Sequence, residues 1–294
     1  MLNNIRASSY FRPRLIVACL ASLPNLRYLT IEFSVPIPGP CTERRLLGEQ
    51  RAPVALPSLE IFWFKGVGAY LESLVSQIRA PLLEKLTITL FNQIAFALPH
   101  LSYLINITKV FKLPYVSVHL GVKKVFISVG LSAWSIYAFS LYVICKPLDW
   151  QIDCGAQICH ELIPALPCVE KLSLVYDPFQ EIPTEWQNGA IDSATWHDLL
   201  RSFIEVKELC IGGPLLEELS YALEGDEVRS DPGFLPNLRT ILAEVNMFAS
   251  FVDARQVMGH PVAYSLWDED LDSAGENHIQ TVRVRKVRGR PSST

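Results

Sequence analysis

Leu166-Pro167-Cys168-Val169-Glu170-Lys171-Leu172-Ser173-Leu174-Val175 is a complete structural phrase. Leu-Pro supplies a turn, Val169 an inward apolar residue, Glu170 and Lys171 two polar ones, and the remainder a strand alternating apolar and polar. The phrase returns as Leu23-Pro24-Asn25-Leu26-Arg27-Tyr28-Leu29-Thr30-Ile31 and as Leu56-Pro57-Ser58-Leu59-Glu60-Ile61-Phe62-Trp63-Phe64. It returns again as Ala80-Pro81-Leu82-Leu83-Glu84-Lys85-Leu86-Thr87-Ile88 and as Leu235-Pro236-Asn237-Leu238-Arg239-Thr240-Ile241. Ile204-Glu205-Val206-Lys207-Glu208-Leu209-Cys210-Ile211 is a copy without proline. Self-similarity at tens of residues signals stacked units, each too small to bury its apolar face alone and each completed by its neighbour.

The spacing L-x-x-L-x-L is the leucine-rich form of such a repeat. Between strands the period changes. After Gly66 and Gly68, residues Tyr70, Leu71, Leu74, Val75 and Ile78 fall at helical spacing, with Glu72, Ser73 and Gln77 on the other face. Pro81 stops that helix and opens the next strand, Lys85 to Leu90. Similar apolar stripes run through Ile158, Cys159, Leu162, Ile163 and Leu166, and through Trp196, Leu199, Leu200 and Phe203. Phe248, Phe251, Val252 and Arg255 to Met258 suggest a closing helix. Strand–helix–strand units imply parallel strands with right-handed crossovers. The expected fold is therefore α/β, a leucine-rich-repeat-like solenoid with a curved, mainly parallel sheet and helices on its outer side. Inward positions should be Leu26, Leu29, Ile31, Leu83, Leu86, Ile88, Val169, Leu172, Leu174, Leu209 and Ile211.

The repeat is degenerate. With Leu29, Phe62, Leu86, Leu104, Val125, Leu141, Leu172, Leu209 and Ile241 as equivalents, the steps run from 16 to 37 residues, against about 20–29 in regular arrays. The asparagine ladder of regular repeats is mostly missing: Ser34, Val67 and Pro214 stand there, with Asp177 the one substitute. Pro36–Pro53 is breaker-rich and reads as a surface loop.

Of 294 residues, half are hydrophobic and 19% charged, which supports a sizeable core and argues against wholesale disorder. The net charge of −4 is uneven: Arg283, Arg285, Lys286, Arg288 and Arg290 crowd the C-terminus. Without those five, 21 basic residues face 30 acidic ones, and an acidic body argues against nucleic acid as its partner. Residues 1–267 form the expected repeat domain. Residues 268–294 form an acidic run (Asp268, Glu269, Asp270, Asp272, Glu276) and then a basic tail, expected to be a linker and a disordered end. Seven scattered cysteines give no paired framework, which favours a reducing compartment, cytoplasmic or nuclear. The apolar run Arg14 to Ala21 flows straight into the first repeat, so it reads as part of the fold and not as a cleaved signal.

Val125 to Cys145 carries no charge and is flanked by Lys123, Lys124 and Lys146. Its length alone would fit a membrane-spanning helix, and an anchored protein is the alternative it raises. Ser128, Ser132, Ser135 and Ser140, Gly130 and many β-branched and aromatic residues favour strands. Val118, Val122, Val125, Ile127 and Val129, then Leu141, Val143 and Cys145, read as two strands around a turn near Gly130, apolar on both faces as buried strands are.

An ordered set of motifs carries a resemblance. It comprises Leu71-Glu72-Ser73-Leu74-Val75-Ser76-Gln77-Ile78-Arg79-Ala80-Pro81-Leu82-Leu83 with Phe91-Asn92-Gln93, and Leu148-Asp149-Trp150-Gln151 with Ala156-Gln157-Ile158-Cys159. It continues with Trp196, Leu199 and Phe203 ahead of Val206-Lys207, and with Phe251-Val252-Asp253-Ala254-Arg255-Gln256 and Gly259-His260-Pro261-Val262. Over residues 20 to 267 the chain resembles the F-box proteins with degenerate leucine-rich repeats of mushroom-forming fungi. The resemblance implies a non-enzymatic protein that recognises substrates for a ubiquitin ligase. Similar proteins place an F-box near their N-terminus to dock on the ligase adaptor. No Leu-Pro-x-Glu-Ile-Leu helix start occurs here, so only the repeat half of the pattern carries over.

Sites of chemistry are scarce. Cys154 and Cys159-His160, with Cys145 and Cys168 nearby, lack paired C-x-x-C spacing and read as structural cysteines; no metal and no cofactor is expected. Asp153, His160 and His197 form no triad, and no G-x-S-x-G turn is present. Gly66-x-Gly68 lacks the third glycine and the lysine of a phosphate loop. Trp150, Trp186 and Trp196 read as core or capping aromatics. Arg288-Gly289-Arg290-Pro291 matches the core of an AT-hook, whose arginines flank a glycine slim enough for the minor groove, and raises a DNA-tethered alternative. The expected partner is a protein, met on the outward strand positions: Tyr28, Thr30, Glu32, Trp63, Lys65, Lys85, Thr87, Lys171, Ser173, Val175 and Glu208. Their mix of aromatic and charged groups suits a protein surface better than a small molecule.

Overall fold

The computed structural model describes residues 2–5, 11–36, 52–91, 95–121, 123–132, 137–145, 148–176, 192–225, 231, 233–245 and 247–266. The chain opens with Leu2–Ile5 (β1), Pro13–Leu20 (α1), Tyr28–Phe33 (β2), Val54–Ala55 (β3) and Ile61–Gly66 (β4). Gly68–Val75 (α2), Ile78–Arg79 (β5), Lys85–Phe91 (β6) and Pro99–Ile107 (α3) follow. Three strands come next without a helix between them: Tyr115–Leu120 (β7), Lys124–Gly130 (β8) and Phe139–Ile144 (β9). The remainder alternates again, with Leu148–Leu162 (α4), Lys171–Tyr176 (β10), Ser193–Arg201 (α5), Glu208–Ile211 (β11), Leu215–Glu224 (α6), Thr240–Ala243 (β12), Ala249–Val257 (α7) and Ala263–Leu266 (β13).

Eleven strands form one sheet in the order β1-β2-β4-β6-β9-β8-β7-β10-β11-β12-β13; β3 and β5 pair separately. Every pairing in the large sheet is parallel except those of β8, which runs antiparallel to both neighbours. The fold is mixed α/β with a large, mostly parallel sheet and no closed barrel.

The register makes the repeated phrase physical. Leu29, Phe62 and Leu86 stand side by side, and the row continues through Phe139, Val129, Val116, Leu172, Leu209 and Ile241 to Tyr264. From Leu29 to Ile241 every member of that row is buried, at 6% exposure or less. The helices lie against this face and contact one another in succession, α1 on α2 through to α6 on α7. Gly155 of α4 shows the closeness: a Cβ there would sit 3.7 Å from Leu199 of α5 and 3.9 Å from Val125 of β8. At the end of β4 the approach is tighter still. A Cβ on Gly66 would lie 2.7 Å from the Phe64 ring, beside the edge-on Phe33–Tyr70 pair at 4.8 Å. Among the expected inward residues all are buried except Leu26, which is partly buried against the core.

Five expectations need correction. Strand order does not follow the chain through the middle: β7, β8 and β9 form a meander that runs back towards β6. Val118 belongs to a strand of its own, β7, because the chain turns at Gly121 and not only after Gly130. Leu104 is a buried residue of α3, not a strand position; the row is filled by Val116, Val129 and Phe139, while Leu141 sits one inward row along and Val125 two. A period of two cannot distinguish an apolar residue from one two places along, so register comes only from pairing. Ile78 lies in β5, beyond the helix.

The fifth correction concerns Glu72, expected on the solvent side of α2. Its carboxylate is buried and accepts from the backbone N–H of His100 at 2.8 Å and of Leu101 at 2.9 Å, satisfying two free donors in the first turn of α3. Burial raises its pKa, opposed by those two hydrogen bonds. A raised pKa means the folded state holds the proton more tightly, so the contribution of Glu72 is full below its unfolded value and falls as pH rises through the folded one. Glu72→Gln turns one amide nitrogen towards a backbone donor and should cost about 1 kcal/mol. Thermal melts across the acidic range should show the gap between wild type and variant narrowing as pH rises; a gap that widens would contradict the assignment.

No helix among the described residues is long and apolar enough to cross a membrane, and within Val125–Cys145 residues 125–130 lie in β8 and residues 139–144 in β9.

Candidate functional site

The sheet face turned away from the helices carries the chemistry. Its central row runs Thr30, Trp63, Thr87, Ser140, Ser128, Ser117, Ser173, Cys210, Leu242 and Ser265. The next runs Glu32, Lys65, Thr89, Tyr142, Phe126, His119 and Val175. Of the outward residues expected from the sequence, Tyr28 and Trp63 are exposed, at 57% and 44%. Glu32, Lys65, Lys85, Thr87, Lys171, Val175 and Glu208 are half-buried, and Thr30 and Ser173 are buried. Those last two leave the accessible set because serine and threonine are short and larger side chains flank them.

Lys171 and Glu208 face each other on β10 and β11 and form an ion pair at 3.1 Å. Just below, Lys207 reaches Glu170 at 2.6 Å, and on the far side Arg27 grips Glu60 with two hydrogen bonds of 2.8 Å. All three pairs are partly exposed, so each contributes about 0–1 kcal/mol. Their chief effect is to occupy these charges.

The centre of the face was not singled out by the sequence. Phe126 stacks on Tyr142 with centroids 4.3 Å apart and planes 10° off parallel. His119 lies 5.3 Å from Phe126 on its other side, and Tyr137 meets Phe126 edge-on at 5.7 Å. Lys124 sets its ammonium 5.0 Å from the Tyr142 centroid. Beneath this stack the serines form a polar floor. Ser117 Oγ and His119 Nε2 are 2.7 Å apart, Tyr115 is hydrogen-bonded to Ser173 and Ser117, and buried Ser128 Oγ has no partner. Burial drives the Tyr115 phenol well above its ordinary range. Ser117, at 1% exposure, presents no surface on which a substrate could be attacked. Burial, reinforced by Glu208, pushes the Cys210 thiol up to about 12, so it stays protonated at neutral pH. The signal for this cluster was present as alternation: Tyr115-x-Ser117-x-His119, Phe126-x-Ser128 and Ser140-x-Tyr142.

The other candidates are dispersed. Cys145, Cys154 and Cys159 are buried, Cys168 and His160 exposed, and among the described residues no group of three or more His, Cys, Asp or Glu could hold a metal ion. His197 is buried and donates through Nε2 to the Ala222 carbonyl at 2.7 Å, tying α5 to α6. Trp196 is fully buried and Trp150 exposed. A cleft of about 370 Å3 lies among the repeat turns, lined chiefly by apolar groups such as Ile163, Leu166, Phe203 and Ile204 with His160 and Arg201 at its margin. Asp177, Trp186, most of the Pro36–Pro53 loop, the acidic run and the AT-hook-like Arg288, Gly289, Arg290 and Pro291 lie outside the described residues. Compared with family models, curated proteins and solved structures, the chain matches none.

Proposed function

We propose that this chain is a non-enzymatic interaction scaffold, a leucine-rich-repeat-like solenoid whose open sheet face recognises a protein partner. On this reading it resembles the substrate-recognition region of an F-box ubiquitin-ligase receptor, acting in the cytoplasm or nucleus without a cofactor. The observation that carries it is the open face: Tyr28 and Trp63 exposed on adjacent strands, continued by Tyr142, Phe126 and His119, beside lysines and hydroxyls. Aromatic groups ringed by polar ones are the composition of a protein-recognition patch, and a tryptophan is its commonest anchor. The repeat reading is supported by β2-β4-β6 and β10-β11-β12-β13, which add in chain order on either side of the meander.

Affinity capture from cells followed by mass spectrometry tests the face. Partner recovery should fall about tenfold or more in the Tyr28→Ala/Trp63→Ala double variant. Recovery unchanged by those substitutions would show that another surface is used.

A further inference from the structure

We propose that the occupant of the open face is an extended acidic segment of a partner protein, seated on Lys65, Lys85 and Lys124 across the β4-to-β8 part of the face that carries the Tyr142–Phe126 stack. This rests on the reading of that face as a protein-binding surface.

Charge carries the inference. The chain as a whole is negative, at −4, yet this part of the face gathers three lysines. Elsewhere along the sheet three basic groups are taken: Arg27 by Glu60, Lys171 by Glu208 and Lys207 by Glu170. Among the described residues Lys65, Lys85 and Lys124 form no ion pair, although Glu32 stands directly across from Lys65. Lys65 and Lys85, half-buried on strands, and Lys124, exposed but set over the Tyr142 ring, have lost freedom without gaining a carboxylate. A carboxylate arriving from outside completes them.

Spacing and chemistry define the shape of the guest. Lys65 lies on β4 and Lys124 on β8, three strands apart in the order β4-β6-β9-β8. At about 4.8 Å per strand this is roughly 14 Å, which an extended chain covers in about four or five residues. Trp63 and Ile144, exposed at 44% and 40%, offer apolar seats beside the lysines. The guest should therefore alternate carboxylate and apolar or aromatic residues, as an extended segment presents them.

Lysines beside aromatic rings on a sheet also describe a surface for single-stranded nucleic acid, where bases stack on open ring faces. The central rings here do not offer them. Phe126 and Tyr142 cover each other, and Lys124 stands over Tyr142.

The test is a fluorescence-anisotropy titration of the full chain with a short fluorescein-labelled peptide alternating glutamate and tyrosine. Binding should saturate, weaken as salt is raised, and weaken about tenfold or more in Lys65→Glu/Lys85→Glu/Lys124→Glu. If that variant melts early, the Lys→Gln triple replaces it and should show the same direction. Equal binding by the triple variant, preference for a lysine–tyrosine peptide, or preference for an oligouridine would overturn the proposal. Failure of the glutamate peptide, with capture still dependent on Tyr28 and Trp63, rejects the acidic guest and leaves the protein-binding face standing. Capture indifferent to Tyr28 and Trp63 rejects the face itself.

Discussion

Leu172→Ala is expected to lower the unfolding free energy by about 2–5 kcal/mol, the range for truncating a fully buried leucine. Leu172 is 0% exposed and sits mid-row, flanked in register by Val116 and Leu209, with the helix layer over it. Its removal opens a cavity that neither neighbouring strand can fill without breaking ladder hydrogen bonds. Replacement by a charged residue should prevent folding altogether, because an unpaired charge at that depth costs far more than the lost contacts. The open-face control is Tyr28→Ala, at a position 57% exposed, which should change stability by less than about 1 kcal/mol. Urea unfolding of the three proteins checks this, and equal midpoints for Leu172→Ala and Tyr28→Ala would place the core on the wrong side of the sheet.

The contrast between those two positions marks what the sequence disclosed. The phrase around Leu172 located β2, β4, β6, β10, β11 and β12 and gave their inward residues, because each copy carries its own turn, its own inward leucine and its own alternation. That information is local. The order of strands is not: β6 pairs with β9 and β7 with β10, both contacts between segments distant in sequence. Nothing in the apolar alternation of Val125, Ile127 and Val129 distinguishes an antiparallel strand from a parallel one.

The site follows the same division. Tyr28 and Trp63 were legible as outward positions because they interrupt a repeated phrase. His119, Phe126 and Tyr142 belong to strands outside the phrase, and reading those strands as apolar on both faces left Ser128 and Ser140 unassigned to a face and the rings beside them unread. Glu72 was misplaced for a related reason. Helical spacing puts it opposite Leu71 and Leu74, but the N-terminus of α3 arrives on that side and needs an acceptor.

Gln151→Leu should cost about 3 kcal/mol, although the two side chains are nearly equal in size. Gln151 is fully buried near the start of α4. Its Oε1 accepts from the Gly121 amide at 3.0 Å, and its Nε2 donates to the carbonyl oxygens of Gly121 and of Cys145, the latter at 3.3 Å. One side chain thus closes the turn between β7 and β8 and anchors the end of β9. Leucine fills the volume but leaves one buried N–H and two buried carbonyls without it, and each unsatisfied group costs about 1–3 kcal/mol, less where a carbonyl keeps a second partner. Hydrogen exchange gives the local readout: the Gly121 amide and its strand neighbours should exchange faster in Gln151→Leu, while β11 and β12 stay protected. Because the same meander holds His119, Phe126 and Tyr142, the variant should also loosen the ring stack, and partner capture should fall even though no residue on the open face has changed. Unaltered exchange at Gly121 would mean that the turn is held by other contacts and that the site does not depend on this brace.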